Sequence, residues 1–103
     1  TEAYTAHFLK VRKHLRRIGI DASLFVAIKT RCGEDDPRQV DLISTAQRRL
    51  TKGYADVFAG PDINSYSNEN YADDYCHLSD TGIRKLAHDW GGILENHLPV
   101  QSP

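Results

Sequence analysis

At 103 residues, 40% of them hydrophobic and 26% charged, the chain has the size and balance of one small globular domain, which excludes wholesale disorder. Thirteen Lys and Arg against fourteen Asp and Glu leave a net charge of -1, so the basic footprint that nucleic-acid binding usually needs is missing. No apolar stretch approaches the roughly 20 residues that cross a bilayer, and the opening TEAYTAHF does not read as a signal peptide. Neither nucleic acid nor membrane is therefore expected as a partner. The two cysteines, Cys32 and Cys76, are too few for a disulfide framework and too far apart for a zinc motif. Composition leaves the redox compartment open, and no metal or cofactor is expected.

Tyr4, Phe8, Val11, Leu15 and Ile18 recur at steps of three and four, which predicts an amphipathic helix stopped at Gly19. Lys10, Arg12, Lys13, Arg16 and Arg17 fall elsewhere on it, crowding the half where the helix dipole favours cations. In a neutral chain without interleaved aromatics they read as a solvated face rather than a binding patch. The apolar run from Leu24 to Ile28 in SLFVAIKT is short and unalternating, which predicts a strand buried on both faces of a parallel sheet. In EDDPRQ, Asp36 is placed to be the N-cap of a second helix, with Pro37 at its first position and Gln39 as capping-box partner. Val40, Ile43, Gln47 and Leu50 carry that helix to Gly53. A second short strand, DVFAG from Asp56, ends at Gly60 and Pro61. Two parallel strands joined by a helix imply a right-handed crossover.

After Pro61 the apolar periodicity dissolves into DINSYSNENYADDYCH, and a loop this long in a small domain is usually functional. It is no calcium loop, since Tyr66 and Ser67 stand where a ligand and the invariant glycine belong. None of its asparagines opens a glycosylation sequon. Ser79 then caps a final helix expected to bury Ile83, Leu86, Ala87, Trp90 and Leu94, which makes Trp90 core rather than ligand platform.

Ligand sites of open parallel sheets lie beyond the carboxyl ends of the strands, where the loop carrying Asp74 and His77 emerges. Asp-x-x-His in a turn lets the carboxylate fold back onto one ring nitrogen and leaves the other to take a proton. The same spacing also serves plain loop hydrogen bonding around an N-cap, and local chemistry leaves both readings open. Cys32 and Cys76 both belong to segments leaving carboxyl ends of strands. They are therefore expected to lie close together and to be able to form a disulfide worth about 3 to 4 kcal/mol, which would suggest export from the cytoplasm.

The run DDYCHLSDTGIRKLAHDW resembles the final block of the SGNH (GDSL-type) hydrolases, in which D-x-x-H supplies the last two members of a catalytic triad. LFVAIKTRC, STAQRRL and DVFAGPDI are similar to the carbohydrate-esterase branch, including sialate O-acetylesterase-like proteins. The resemblance covers most of the chain, most strongly Ser23 to Trp90. It implies an acid at Asp74 and a general base at His77, with Asp73 as an unassigned neighbour, and an acylated carbohydrate as substrate. It also implies that residues 1–103 are the C-terminal half of one α/β hydrolase domain, the helix-strand-helix-strand-helix part of a three-layer, flavodoxin-like parallel sheet.

The family's G-D-S nucleophile block and its oxyanion-hole blocks have no counterpart here. Ser23, Ser44, Ser65, Ser67, Ser79 and Ser102 lie in no such context. The nucleophile is therefore expected from a missing N-terminal half or another chain, and the chain alone is expected to be inactive. Two other readings stand beside this one. The chain could be a non-catalytic interaction module of the same fold, or a thiol enzyme using Cys32, which leaves the first strand on the edge where His77 is expected.

Overall fold

The computed structural model describes residues 2–33 and 37–98, with side chains of the second helix described from residue 41 onward. The expected cap Asp36, and the side chains of Pro37, Gln39 and Val40, lie outside the described residues. The elements are α1 (Glu2–Arg17), β1 (Leu24–Ile28), α2 (Pro37–Gly53), β2 (Val57–Asp62), two short 3-10 turns at Ile63–Ser65 and Asn68–Asn70, and α3 (Asp80–His97). The fold is mixed α/β, and among the described residues its sheet consists of two parallel strands.

α1 ends as a glycine-terminated helix does. Gly19 takes the left-handed φ of 90°, its amide donates to the Arg16 carbonyl and the Ile20 amide to Leu15, which satisfies carbonyls the helix leaves unpaired. The packed side of α1 is rotated from the one the apolar periodicity predicts. Tyr4, Phe8, Leu9, Arg12, Leu15 and Arg16 are half-buried, whereas Val11 and Ile18 are exposed. The reason is Asp56, in the turn before β2. Arg12 grips it with two parallel bonds, Nε to Oδ2 at 2.9 Å and Nη2 to Oδ1 at 2.9 Å, while Arg16 also binds Oδ2. The Arg12 guanidinium lies 5.0 Å from the centre of the Tyr54 ring. The hydrogen bonds from Arg12, then those from Arg16, hold the Asp56 carboxyl well below the usual carboxylate range. Two of the five cations thus fasten α1 to the sheet, and the expectation of a wholly solvated basic face is corrected.

β1 and β2 pair Leu24 with Val57, Phe25 with Phe58 and Val26 with Ala59, then Ile28 with Asp62. β2 therefore holds one residue more than β1 across that interval, at Gly60 and Pro61. The strand continues through this pair to Asp62 instead of ending there, because a bulge is where a residue without an N–H can sit in a ladder. Val26, Val57 and Leu50 of α2 form one buried cluster, covered by Tyr4, Phe8, Leu9, Leu24 and Tyr54. On the opposite face Phe25 and Phe58 meet α3, with Trp90 edge-on to Phe25 at 6.3 Å and the His97 ring 4.5 Å from Phe58. Phe25 and Phe58 stay half-exposed, so β1 is buried on its α2 face and only partly covered on the other, which corrects the expectation of a strand buried on both faces. Gly60 is needed at this crossing, since a methyl there would come within 2.6 Å of the Trp90 ring and 3.1 Å of the Ala27 backbone.

The segment after β2 is not the patternless loop its composition suggests. Ile63, Tyr66 and Tyr71 form a second buried cluster with Ala27, Leu78 and Leu86 around them. The 3-10 turns bring these residues inward at steps of three and then five, a sequence of spacings that sustains neither a strand nor an α-helix pattern. α3 docks on this cluster through its first turn. Ser79 caps it, accepting from the Gly82 amide at 3.2 Å, and Gly82 is buried directly against the Asn70 backbone. Of the residues expected to be buried on α3, Leu86, Trp90 and Leu94 are half-buried, while Ile83 and Ala87 are exposed. Backbone-to-backbone approach at Gly82 turns that side of the helix inward and Ile83 outward.

A methyl group at position 82 would run into the Asn70 carbonyl oxygen, which is backbone and cannot swing aside. Gly82→Ala is therefore expected to lower stability by about 2 to 3 kcal/mol or more, the upper end of overpacking costs, despite the better helix propensity of alanine. Urea unfolding followed by circular dichroism measures it.

Candidate functional site

Beyond Ile28 the chain leaves the sheet along its carboxyl edge, and the loop of residues 63–79 is fastened to it residue by residue. The Asn64 side chain replaces a strand, its Oδ1 accepting from the amides of Thr30 and Arg31 at 2.9 and 3.0 Å while its Nδ2 donates to Thr30 Oγ1 at 2.8 Å. Arg31 lies 4.1 Å above the centre of the Tyr71 ring and donates to the Tyr66 carbonyl at 3.2 Å and to Asn68 Oδ1 at 2.5 Å. Cys32 is joined to Cys76 by a disulfide, with the two α-carbons 3.8 Å apart. The Gly33 amide donates to the Tyr75 carbonyl at 3.2 Å, and Gly33, at φ 53°, lies so close that a methyl would stand 3.2 Å from the Asp74 carbonyl oxygen.

Against this floor residues 71–78 make a tight turn. Tyr71 and Leu78 form an antiparallel bridge, the Ala72 amide donates to the His77 carbonyl at 2.8 Å, and the Tyr75 amide to the Ala72 carbonyl at 2.9 Å. Tyr75 reverses the chain at φ 53°, a left-handed conformation that costs a non-glycine residue roughly 1 to 2 kcal/mol. The reversal places the amides of Cys76 and His77 so that both donate to Asp74 Oδ1, at 2.9 and 3.0 Å. The second carboxylate oxygen is left for the imidazole, and His77 Nδ1 lies 2.5 Å from Asp74 Oδ2.

This arrangement has a defined chemical capacity. The carboxylate engages Nδ1, so the neutral ring carries its proton there and presents the Nε2 lone pair outward. The His77 side chain is 81% exposed and that of Asp74 49%, and among the described residues no hydrogen bond engages Nε2. The His77 ring, then the amides of Cys76 and His77, pull the Asp74 carboxyl down to about 2. The pair is an oriented base open to solvent.

The structure brings together Asp74 with His77 and Cys32 with Cys76, all at the carboxyl edge of the strands. Asp73 is exposed and joins neither pair. With both cysteines in the disulfide there is no thiol at this edge, so the Cys32 thiol-enzyme reading does not hold for this form. Several serine hydroxyls are engaged elsewhere. Ser79 Oγ donates to the Glu69 carbonyl, and those of Ser44 and Ser65 donate to the carbonyls of Asp41 and Asp62. The roles of Asn64, Arg31 and Gly33 at this edge leave no signal in the sequence, where Asn64 fits only the third position of a calcium loop that the residues after it rule out, because each makes contacts to a segment more than thirty residues away. Among the described residues no group of three or more His, Cys, Asp or Glu could hold a metal ion, and no helix is long and apolar enough to cross a membrane. Compared with protein-family models, curated proteins and solved structures, the chain matches none.

Because the Asp74 carboxyl is held below its ordinary value of about 3.9, its bonds favour the fold fully above that value. That contribution is lost as pH falls through about 2. Carboxyl carbon shifts followed by NMR should show Asp74 titrating at the acid end of this window. The turn amides of Cys76 and His77 should lose protection in the same step.

Proposed function

We propose that this chain is the C-terminal part of a serine ester hydrolase of the SGNH type, supplying the acid and base of its triad. The observation that carries the reading is the Asp74 carboxylate fixed on His77 Nδ1 while Nε2 stays open to solvent. In this role Nε2 takes the proton of a serine hydroxyl as that oxygen attacks the ester carbonyl, then returns it to the departing sugar oxygen. A water repeats the cycle to release the acid. Asp74 keeps the ring in the required tautomer and stabilises the imidazolium. The serine and the oxyanion donors come from a segment or chain outside these 103 residues, and an O-acetyl group on a carbohydrate is the substrate that the resemblance suggests.

The finer architecture belongs to the same proposal. The parallel pairing, with α2 on one face and α3 on the other, suits part of a larger flavodoxin-like sheet. The apolar side chains of Val11, Ile18 and Ile83, exposed in this chain, suit burial against the missing half. The disulfide fits an oxidising compartment outside the cytoplasm. A non-catalytic interaction module of the same fold is the alternative, favoured by the two amide bonds to Asp74, which a purely structural turn would also use.

Acetyl-ester hydrolysis separates the two. The chain alone is expected to show none, whereas an assembly restoring the serine-bearing segment is expected to turn over. In that assembly His77→Ala abolishes activity and Asp74→Asn lowers turnover by roughly 10² to 10⁴-fold with the fold intact. Asp73→Asn leaves it nearly unchanged. Full activity in a well-folded His77→Ala variant would contradict the catalytic reading.

A further inference from the structure

The turn that carries the pair is held to the sheet edge unevenly. Its base, at Tyr71, is fastened by the stacked Arg31 side chain. Among the described residues its tip, residues 72–77, has two ties to the floor: one amide bond from Gly33 to the Tyr75 carbonyl and the Cys32–Cys76 disulfide. Cys76 occupies a decisive place in that tip. Its amide is one of the two donors to Asp74 Oδ1, and the next residue is His77, whose amide is the other. The sulfur bridge therefore fixes the backbone atoms that orient the carboxylate, and through the carboxylate the imidazole. The tip also holds the left-handed Tyr75, an unfavourable conformation that persists only where surrounding ties enforce it. The half-buried disulfide lies beside an exposed turn, within reach of a small dithiol.

We propose that the Cys32–Cys76 disulfide is the positioning device of the Asp74–His77 pair, so that its reduction dismantles the pair while the two-stranded core stays folded. The inference rests on the esterase reading for its functional meaning, since it makes the base of that site active only in the oxidised form. In the reductive step a thiolate of an external dithiol attacks one sulfur of the bridge. The S–S bond breaks and a mixed disulfide forms, and the dithiol's second thiolate displaces the protein sulfur and closes its own disulfide. The protein gains two electrons and two protons and carries two thiols, while the dithiol loses the same number. With the bridge open, Tyr75 relaxes from its left-handed conformation, the Cys76 and His77 amides turn away from Asp74, and the carboxylate no longer holds Nδ1.

The test uses the 103-residue chain by itself, without a nucleophile, so that its outcome is independent of the esterase reading. Amide hydrogen exchange and the titration of the Asp74 carboxyl are measured by NMR in three samples: the oxidised chain, the chain reduced with dithiothreitol, and Cys32→Ser/Cys76→Ser. The Leu24 and Val57 amides report on the core. Expected on reduction and in the double variant is exchange at Cys76 and His77 faster by about tenfold or more. The Asp74 titration should move up from about 2, the Leu24 and Val57 amides should stay protected, and reoxidation should reverse every change. An unchanged Asp74 titration with unchanged protection would overturn the proposal, showing that the turn's own hydrogen bonds suffice. Loss of core protection together with the turn, in both the reduced chain and the variant, would also overturn it by making the bridge a general staple.

Discussion

Four consecutive residues, Thr30 to Gly33, govern where everything beyond the sheet can lie. Their own pairing with β2 has ended, so their polar groups need other partners, and the loop of residues 63–79 provides them. Asn64 takes the amides of Thr30 and Arg31, Tyr66, Asn68 and Tyr71 take the Arg31 guanidinium, Cys76 takes the sulfur of Cys32, and Tyr75 takes the Gly33 amide. At about 1 kcal/mol for an ordinary hydrogen bond and about 3 to 4 for the disulfide, these ties together rival the burial of three or four large core side chains. They compensate for a loop that has little regular structure of its own.

The same edge explains why the core is divided. One cluster, Val26, Leu50 and Val57, lies between the strands and α2. The other, Ile63, Tyr66 and Tyr71, lies under the loop. α3 lies on the other face of the strands and rests on the second cluster, its Trp90 against Phe25 and its Asp89 accepting from the Tyr66 hydroxyl at 2.5 Å. Burial first, then the Asp89 carboxylate, raises the Tyr66 phenol far above its ordinary value, so the hydroxyl stays a donor throughout the physiological range. Lys85 completes the group, 3.5 Å from Asp89 and 4.9 Å from the centre of the Tyr66 ring. The position of the turn above the strand ends is thus fixed from below by residues 30–33 and from behind by α3.

Element order was legible in the sequence wherever one physical signal dominated. The glycine at 19, the apolar run from Leu24 and the serine at 79 mark boundaries through backbone chemistry that acts locally. Which side of each helix faces inward was less legible, because it depends on a partner far along the chain. Arg12 and Arg16 face the sheet for the sake of Asp56, and Ile83 faces out because Gly82 must touch Asn70. Helical spacing ranks residues by apolarity and is blind to a guanidinium whose carboxylate lies forty residues away. At the candidate site the pairing of Asp74 with His77 could be anticipated from a spacing of three, since the contact is made within one turn. The contributions of Asn64, Arg31 and Gly33 could not, as each joins segments that only the fold brings together.

The central claim is that Asp74 holds the imidazole by Nδ1 and leaves Nε2 as a free base. Long-range proton–nitrogen correlation of the His77 ring tests it most directly, recorded at a pH where imidazole is neutral. The account predicts a protonated Nδ1 and an unprotonated Nε2 in the wild-type chain, with that preference lost when Asp74 is replaced by Asn. A ring protonated at Nε2, or one averaging equally between tautomers with Asp74 in place, would contradict it.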